Sequence, residues 1–155
     1  MTIVFDDREK CGWNLLLDST FEFRKKRLKT GDYTILGLEK IVCIEKKSSF
    51  EELAGNISSA HGRIKLIKEF RRMQAFPVRI VVIEDSIPAM LSFESRYSKF
   101  VTPDHLMNWV LDMFLEYGIE VICTGKLKGN RIKILTKLFE TIEQKAKEGR
   151  LYHGR

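Results

Sequence analysis

The chain has 155 residues, of which 44% are hydrophobic, and its formal net charge of +6 corresponds to a pI near 9.3. This composition excludes an intrinsically disordered chain, and the length predicts one domain that buries a core of its own. The excess of lysine and arginine favours a polyanionic partner.

Strand-like and helix-like segments alternate along the chain. Short runs of β-branched and aromatic residues predict strands over residues 3–5, 21–24, 41–47, 78–83 and 119–123. Helical periodicity, with capping signals such as Thr102-Pro103, predicts helices over residues 11–17, 51–57, 64–73, 103–118 and 130–147. The stretch 85–100 fits a loop or a short helix. This alternation predicts an α/β fold in which helices flank a central mixed β-sheet.

The expected buried positions follow the helical period. The predicted inward side chains are Ile64, Ile67, Phe70, Leu106, Val110, Phe114, Leu135, Leu138, Phe139 and Ile142. Each of these sets lies on one side of its helix, as packing against a sheet requires.

The three cysteines and the N-terminus restrict the protein's surroundings. Cys11, Cys43 and Cys123 form no Cys-x-x-Cys pair, which argues against a zinc site or a disulfide framework. Acidic residues follow the first apolar run, and no apolar stretch approaches the roughly 18 residues of a membrane span. We therefore expect no signal peptide, no secretion and no membrane partner. The expected location is the cytoplasm, or the nucleus in a eukaryote.

The most informative feature is Asp32, followed by Glu45 and Lys47 on one predicted strand. Side chains alternate along a strand, so Glu45 and Lys47 point to one face while Lys46 points to the other. Two carboxylates can hold a magnesium ion against a phosphodiester, and a nearby ammonium can orient water or offset the charge that develops on the phosphate. This pattern predicts a metal-dependent nuclease.

Other acidic residues have structural alternatives. Asp6 and Glu9 either join the site or cap the helix expected at 11–17, because acidic groups stabilise a first helical turn. Glu84 ends a strand, where a surface position is the simpler prediction. The series from Ser48 to Glu51 spells Ser-x-x-Glu, a capping box that favours a structural role for Glu51.

Several ordered motifs resemble those of the XPF/Hef type of structure-specific DNA endonuclease, within the PD-(D/E)XK or restriction-endonuclease-like fold. Asp6-Asp7-Arg8-Glu9 is similar to that family's Asp-x-Arg-Glu, Gly31-Asp32 to its Gly-Asp, and 45–51 to its Glu-Arg-Lys-x-x-x-Asp. Gly62-Arg63 and Ile83-Glu84 also match family segments. The resemblance covers roughly residues 3–147, and it implies a nuclease domain over 1–148 with a flexible basic tail over 149–155.

The resemblance implies roles for individual residues. Asp32 and Glu45 would bind Mg²⁺ or Mn²⁺ with the backbone carbonyl of Lys46, Asp6 would be an auxiliary or water-mediated ligand, and Lys47 would assist the attacking water. Arg8 would contact the scissile phosphate or hold a carboxylate. The expected outer partners of these groups are Glu9, Lys46 and Glu51. The expected DNA-binding residues are Arg24, Lys26, Arg63, Lys65 and Lys68, for which a solvated surface is the alternative.

Two departures from the family pattern bear on activity. Lys46 stands where the family prefers Arg, and Glu51 stands where it has Asp, so lower activity is one expectation. The helix-hairpin-helix module that usually follows the nuclease domain does not fit in this chain. Targeting to DNA would then come from the domain itself, from a second copy that packs through the helices near Trp109 and Phe139, or from a separate protein.

The resemblance implies cleavage of branched, flap or fork DNA in repair, recombination or replication. A catalytically silent DNA-binding or scaffold domain and a Holliday junction resolvase are the alternatives. The presence of Asp32, Glu45 and Lys47 favours the enzyme.

Overall fold

The computed structural model describes residues 1–10 and 12–152. In this part of the chain there are six strands: β1 Thr2–Asp6, β2 Glu22–Lys26, β3 Tyr33–Ile35, β4 Val42–Lys47, β5 Val78–Ile83 and β6 Glu120–Cys123. The same residues form six helices: α1 Trp13–Leu16, α2 Phe50–Ile57, α3 Ala60–Met73, α4 Ile87–Leu91, α5 Pro103–Leu115 and α6 Lys128–Lys147.

The strands form one mixed sheet in the order β2-β1-β3-β4-β5-β6. β1 pairs parallel with β2 and antiparallel with β3, and β3 pairs antiparallel with β4. β4, β5 and β6 are mutually parallel, so their carboxyl ends lie at one edge of the sheet. The prediction of a mixed sheet flanked by helices is therefore confirmed.

Helices cover both faces of the sheet, and each face has its own hydrophobic core. One core joins Cys43, Val81 and Ile83 of the strands to α2, α3 and α5. The other joins strand residues such as Ile44 and Val82 to α1 and α6. Alternate residues of β4 and β5 thus enter opposite cores, as strand geometry requires. The apolar runs predicted as strands are apolar throughout because both of their faces are covered.

The short strand β3 was not predicted from the sequence. Its three residues are too few to establish an alternating pattern, yet all three are buried between β1 and β4. β3 matters for the position of Asp32, because it begins at the next residue, Tyr33, and pairs with both β1 and β4.

The start of α2 differs from the prediction by one residue. Ser49, not Ser48, is the N-cap, and its side chain accepts a hydrogen bond from the amide of Glu52. The carboxylate of Glu52 in turn accepts hydrogen bonds from the amide and hydroxyl of Ser48. The predicted capping role of Glu51 is therefore wrong, and Glu51 is exposed on the first turn.

Helical periodicity identified most inward side chains but misplaced two. Phe70, Leu106, Leu135, Phe139 and Ile142 are buried as expected. However, Ile64 is 55% exposed and Phe114 is 54% exposed, because Leu66 and Met113 take the buried positions on α3 and α5. On α3 and α5 the buried stripe keeps Phe70 and Leu106 but runs through Leu66 and Met113 in place of Ile64 and Phe114.

The ambiguous stretch 85–100 contains α4, which Ser86 caps by accepting a hydrogen bond from Ala89. α1 is shorter than predicted, and the predicted position at Cys11 lies outside the described residues. Cys43 and Cys123 are free thiols. Over the described ranges, no helix combines the length and apolar character needed to cross a bilayer.

Candidate active site

Gly31 brings Asp32 against β4. Its φ of +79° lies in the left-handed region that glycine adopts without penalty. A Cβ at this position would lie 2.6 Å from Cys43 Sγ and 3.1 Å from the carbonyl oxygen of Ile44. Only glycine therefore fits this turn against β4, which gives a physical reason for the Gly-Asp pair seen in the sequence.

Asp32 forms hydrogen bonds with the two residues of β4 that flank Glu45, Ile44 and Lys46. Its backbone amide donates to the Ile44 carbonyl at 2.8 Å. Its carboxylate Oδ2 accepts from the Lys46 amide, also at 2.8 Å. These two bonds place the Asp32 carboxylate beside Glu45, so the structure brings together the two residues predicted to hold a metal ion.

Glu45 and Lys47 lie on the same face of β4, as the strand alternation predicts. Their side chains form an ion pair of 3.6 Å between Lys47 Nζ and Glu45 Oε1, and both residues are buried. Lys46 points to the other face, where its ammonium meets a different set of carboxylates.

A third acidic residue, Glu69 of α3, belongs to the same group. Glu69 raises the pKa of Glu45 both through its charge and through a hydrogen bond between the two carboxyl groups. We call Asp32, Glu45, Lys47 and Glu69 the Glu45 cluster. The sequence reasoning missed Glu69, although the half-buried acid in an otherwise basic helix is a visible signal.

Burial and mutual repulsion shift the pKa values of the acids in the Glu45 cluster. Burial is the main cause that raises the pKa of Asp32 to about 6, with further increases from the charges of Glu9 and Glu69. The Lys46 amide and the Lys47 charge act in the opposite direction. The pKa of Glu45 is raised well above its usual value, first by burial and then by the charge of Asp32.

Lys47 keeps its positive charge. Burial lowers the pKa of the Lys47 ammonium, but the negative charges of Glu69 and Glu45 outweigh that effect and raise it overall. The Glu45 cluster thus contains three carboxyl groups and one charged ammonium, an arrangement in which a further cation would relieve repulsion.

Asp6 and Arg8 form a separate pair at the end of β1. Arg8 Nε donates to Asp6 Oδ2 at 2.7 Å, and Arg8 Nη2 donates to the Leu28 carbonyl at 2.8 Å. The Leu28 amide donates to the other Asp6 oxygen. Burial raises the pKa of Asp6, yet the bonds from Leu28 and Arg8 prevail and lower it. Asp6 therefore holds Arg8, whose side chain stays 58% exposed.

The opposite face of β4 carries a second charged group, the Lys46 cluster: Glu9, Lys46, Glu84 and Arg131. Lys46 Nζ lies 3.5 Å from Glu9 Oε1 and 3.9 Å from Glu84 Oε1, and Arg131 Nη1 lies 3.0 Å from Glu84 Oε2. Glu84 is only 4% exposed, so the prediction of a surface position for it was wrong. Arg131 of α6 was not anticipated.

The predicted capping of α1 by Asp6 or Glu9 is also wrong. The N-cap of α1 is Gly12, and its first turn contains no acidic residue. Glu9 contacts Lys46 instead, with 3.5 Å between Lys46 Nζ and Glu9 Oε1.

The donor set of the Glu45 cluster fits a divalent cation. The Oε1 atom of Glu69 is buried and accepts no hydrogen bond from any residue that the structure describes, and an acceptor of this kind is satisfied by an ion or by water. Over residues 1–10 and 12–152, no three acidic, histidine or cysteine side chains converge closely enough to bind one ion jointly. Two carboxylates with water and a backbone carbonyl match the needs of Mg²⁺, which keeps several waters.

Glu51 does not lie in the Glu45 cluster. It lines a cleft of about 770 Å³ beside Asp85 and Lys126, and neither Asp32, Glu45 nor Lys47 lines that cleft. This cleft and the Glu45 cluster are therefore separate features of the surface. The role of Glu51 as an outer partner of the site stays a prediction.

Basic side chains lie on the same sheet face as the Glu45 cluster. Arg24 and Lys26 pair in register with Val4 and Asp6, and paired residues share a face, so both are on the side of Asp6. Lys65 lies one turn before Glu69 on α3 and is exposed, as is Lys68.

Arg63 has a structural contact as well as an exposed side. Its Nη1 donates to the Ile57 carbonyl at 2.9 Å, at the last turn of α2. The preceding Gly62 permits this close crossing, because a Cβ there would lie 2.0 Å from the Asn56 carbonyl oxygen.

Comparisons with known proteins identify the family and the fold. The family model described as "ERCC4 domain" matches residues 5–129. The chain is similar to a solved structure of XPF from Aeropyrum pernix, with 17% identity, a TM-score of 0.67, and coverage of 97% of this chain and 69% of that one. It is also similar to XPF from Aeropyrum pernix in complex with DNA, with 18% identity, a TM-score of 0.62, and coverage of 90% of this chain and 65% of that one.

The fold is therefore that of an XPF nuclease domain, a member of the restriction-endonuclease-like class. The chain belongs to the ERCC4 domain family, and the predicted resemblance to XPF/Hef-type nuclease domains is confirmed. It spans about two thirds of the XPF chains that it matches. A comparison with curated protein sequences found no match.

Proposed function

We propose that the protein is a metal-dependent DNA endonuclease that acts on branched, flap or fork DNA. The observation that carries this proposal is the pair of hydrogen bonds between Asp32 and β4, one to the Ile44 carbonyl and one from the Lys46 amide, on either side of Glu45, with Lys47 in the same cluster. Membership of the ERCC4 domain family and similarity to an XPF structure described as a complex with DNA support it.

Asp32 and Glu45 are the residues that would hold Mg²⁺ or Mn²⁺, with Asp6 as an outer carboxylate. When bound, the ion polarises the phosphate and lowers the pKa of water, which together contribute several kcal/mol. Lys47 remains charged beside these carboxylates, so its ammonium can orient water or donate to a phosphate oxygen. Arg8 is fixed by two bonds and still exposes other N–H groups, which suits contact with a phosphate.

DNA would approach along the face that carries Arg24, Lys26 and Lys65. Each phosphate contact releases counterions, so binding should weaken steeply with salt. Replacing Lys26 and Lys65 by Ala should reduce the salt slope of DNA affinity by about two. Lys133 and Lys137 are exposed on α6, which covers the sheet face opposite the Glu45 cluster. Their replacement by Ala is the matched control and should leave the salt slope unchanged.

A cleavage assay tests the activity. The purified chain is incubated with labelled single strands, duplexes, forks, flaps and four-way junctions, in Mg²⁺, Mn²⁺ or chelator. We expect metal-dependent incision of branched DNA that Asp32→Ala and Glu45→Ala abolish and that Glu140→Ala, an exposed change on α6, preserves. Tight binding without incision would indicate the silent scaffold, and paired cuts in four-way junctions would indicate a resolvase.

A second copy of the chain is the protein partner that we propose. Phe139 is buried against Trp13 and is not available for contact, whereas α5 exposes Leu111, Phe114 and Leu115. Exposed apolar patches of this kind mark interaction surfaces. The mass in solution tests the dimer, and Phe114→Lys should shift it toward the monomer. A monomeric chain would instead leave DNA targeting to the domain itself or to a separate protein.

A further inference from the structure

Glu69 is the single acidic residue of α3. The helix otherwise carries the basic residues Arg63, Lys65, Lys68, Arg71 and Arg72. Leu66 and Met73, three residues before and four after Glu69, are both buried, so Glu69 lies on the side of α3 that faces the sheet. The one acid in this helix is thus directed inward, while Lys65 and Lys68 remain exposed.

The position of Glu69 is unfavourable for a purely structural side chain. Its charge acts on Asp32 and Glu45, two other carboxyl groups. Its Oε1 atom is buried and accepts no hydrogen bond within the described residues. A buried acceptor with no donor destabilises a fold, so such a group points to a ligand or to ordered water.

We propose that Glu69 is a positioning residue that accepts hydrogen bonds from the water shell of the divalent ion held by Asp32 and Glu45. This inference rests on the proposed function. Direct ligation by all three acids does not fit, because no three of these side chains converge closely enough in the described residues. Magnesium keeps several waters, and carboxylates beyond the ligands orient such waters.

Binding of Mn²⁺ to the full chain, followed by electron paramagnetic resonance, tests this role without relying on cleavage. We expect Glu69→Gln to weaken Mn²⁺ binding about 10- to 100-fold, which is the range for lost outer partners of a metal. Glu69→Asp keeps the charge and should restore part of the affinity. Glu140→Gln removes the same charge from an exposed site on α6 and should bind Mn²⁺ as the original chain does.

Thermal unfolding in chelator separates positioning from structure. If Glu69 serves the ion, Glu69→Gln removes repulsion from the metal-free site, and its Tm should equal or exceed that of the original chain. A Tm that falls in chelator, together with unchanged Mn²⁺ affinity, would assign Glu69 a structural role and overturn the inference.

Asp32→Asn distinguishes failure of this inference from failure of the proposed function. If Asp32→Asn abolishes Mn²⁺ binding while Glu69→Gln retains full affinity, the metal site stands and only the role of Glu69 is refuted. If the original chain and Asp32→Asn bind Mn²⁺ equally, the metal site itself is refuted, and the role of Glu69 with it.

Discussion

Two charged groups lie on opposite faces of the same strand, and they differ in balance. The Lys46 cluster pairs two carboxylates with two cations across β4, β5, α6 and the chain after β1. The Glu45 cluster sets three carboxyl groups against the single ammonium of Lys47. Both are largely buried, so burial alone does not distinguish them, whereas their balance of charge does.

The two clusters differ in whether their own side chains balance the buried charge. Buried charges are tolerated when they are paired, and the Lys46 cluster meets that condition with its own side chains. The Glu45 cluster does not, and repulsion adds to burial in raising the pKa values of Asp32 and Glu45. A site that is destabilised without a cation and relieved by one is suited to binding it.

The largest effect is expected for Lys47, on the Glu45 face. Lys47→Ala should lower the rate of DNA cleavage about 100- to 1,000-fold, because it removes a cation from the reacting phosphate. Substrate affinity, measured by binding in chelator, should change little. A variant that cleaves at the original rate would show that the ammonium does not take part in the reaction.

Lys46→Met should affect the fold more than the chemistry. Removing this ammonium leaves Glu9 and Glu84 without one of their buried cations, and breaking a buried pair costs about 3 kcal/mol. Urea unfolding should therefore reveal a lower free energy of unfolding. Lys46→Arg should restore most of the stability. If Lys46→Met were instead fully stable and inactive, the contrast between the two faces would be wrong.

Gly31→Ala tests how Asp32 is positioned. The added methyl group meets Cys43 Sγ and the Ile44 carbonyl in a left-handed conformation, which should destabilise the fold by roughly 2 kcal/mol. Cleavage should fall as well, since the shift moves Asp32. Gly37 also has a positive φ but nothing near its Cβ position, so Gly37→Ala reports the backbone strain alone.

The smallest effect concerns pH and the metal-free fold. The pKa of Asp32 is about 6 in the folded state against 3.8 ordinarily, so the folded state binds more protons between these values. The contribution of Asp32 to the free energy of unfolding is therefore present below about pH 4 and is lost as the pH rises through about 6. In chelator, Asp32→Asn should be more stable than the original chain at pH 8, by on the order of 1 kcal/mol, and the gain should vanish at pH 3.5. An equal gain at both pH values would contradict the shifted pKa.

Much of this protein was determined by local sequence. Long β-branched runs and capped helices predicted five strands and the main helices, and the strand period alone placed Glu45 and Lys47 together and Lys46 opposite them. Gly31-Asp32 was recognised by its resemblance to the family's Gly-Asp, whereas the reason that glycine is needed there, a positive φ and a close approach to β4, came from the structure. These features depend on neighbouring residues and on backbone geometry, which a sequence displays directly.

Other features were decided by tertiary packing. β3 is too short to have a period of its own, and it forms because β1 and β4 bond to both of its edges. Glu84 and Arg131, 47 residues apart, meet only because α6 packs across the sheet. Glu69 joins Glu45 because Gly62 lets α3 cross closely over α2 and turn one acid inward. The sequence supplied the charged side chains, but burial and the distances between remote segments determined which carboxylates are paired with cations and which repel one another.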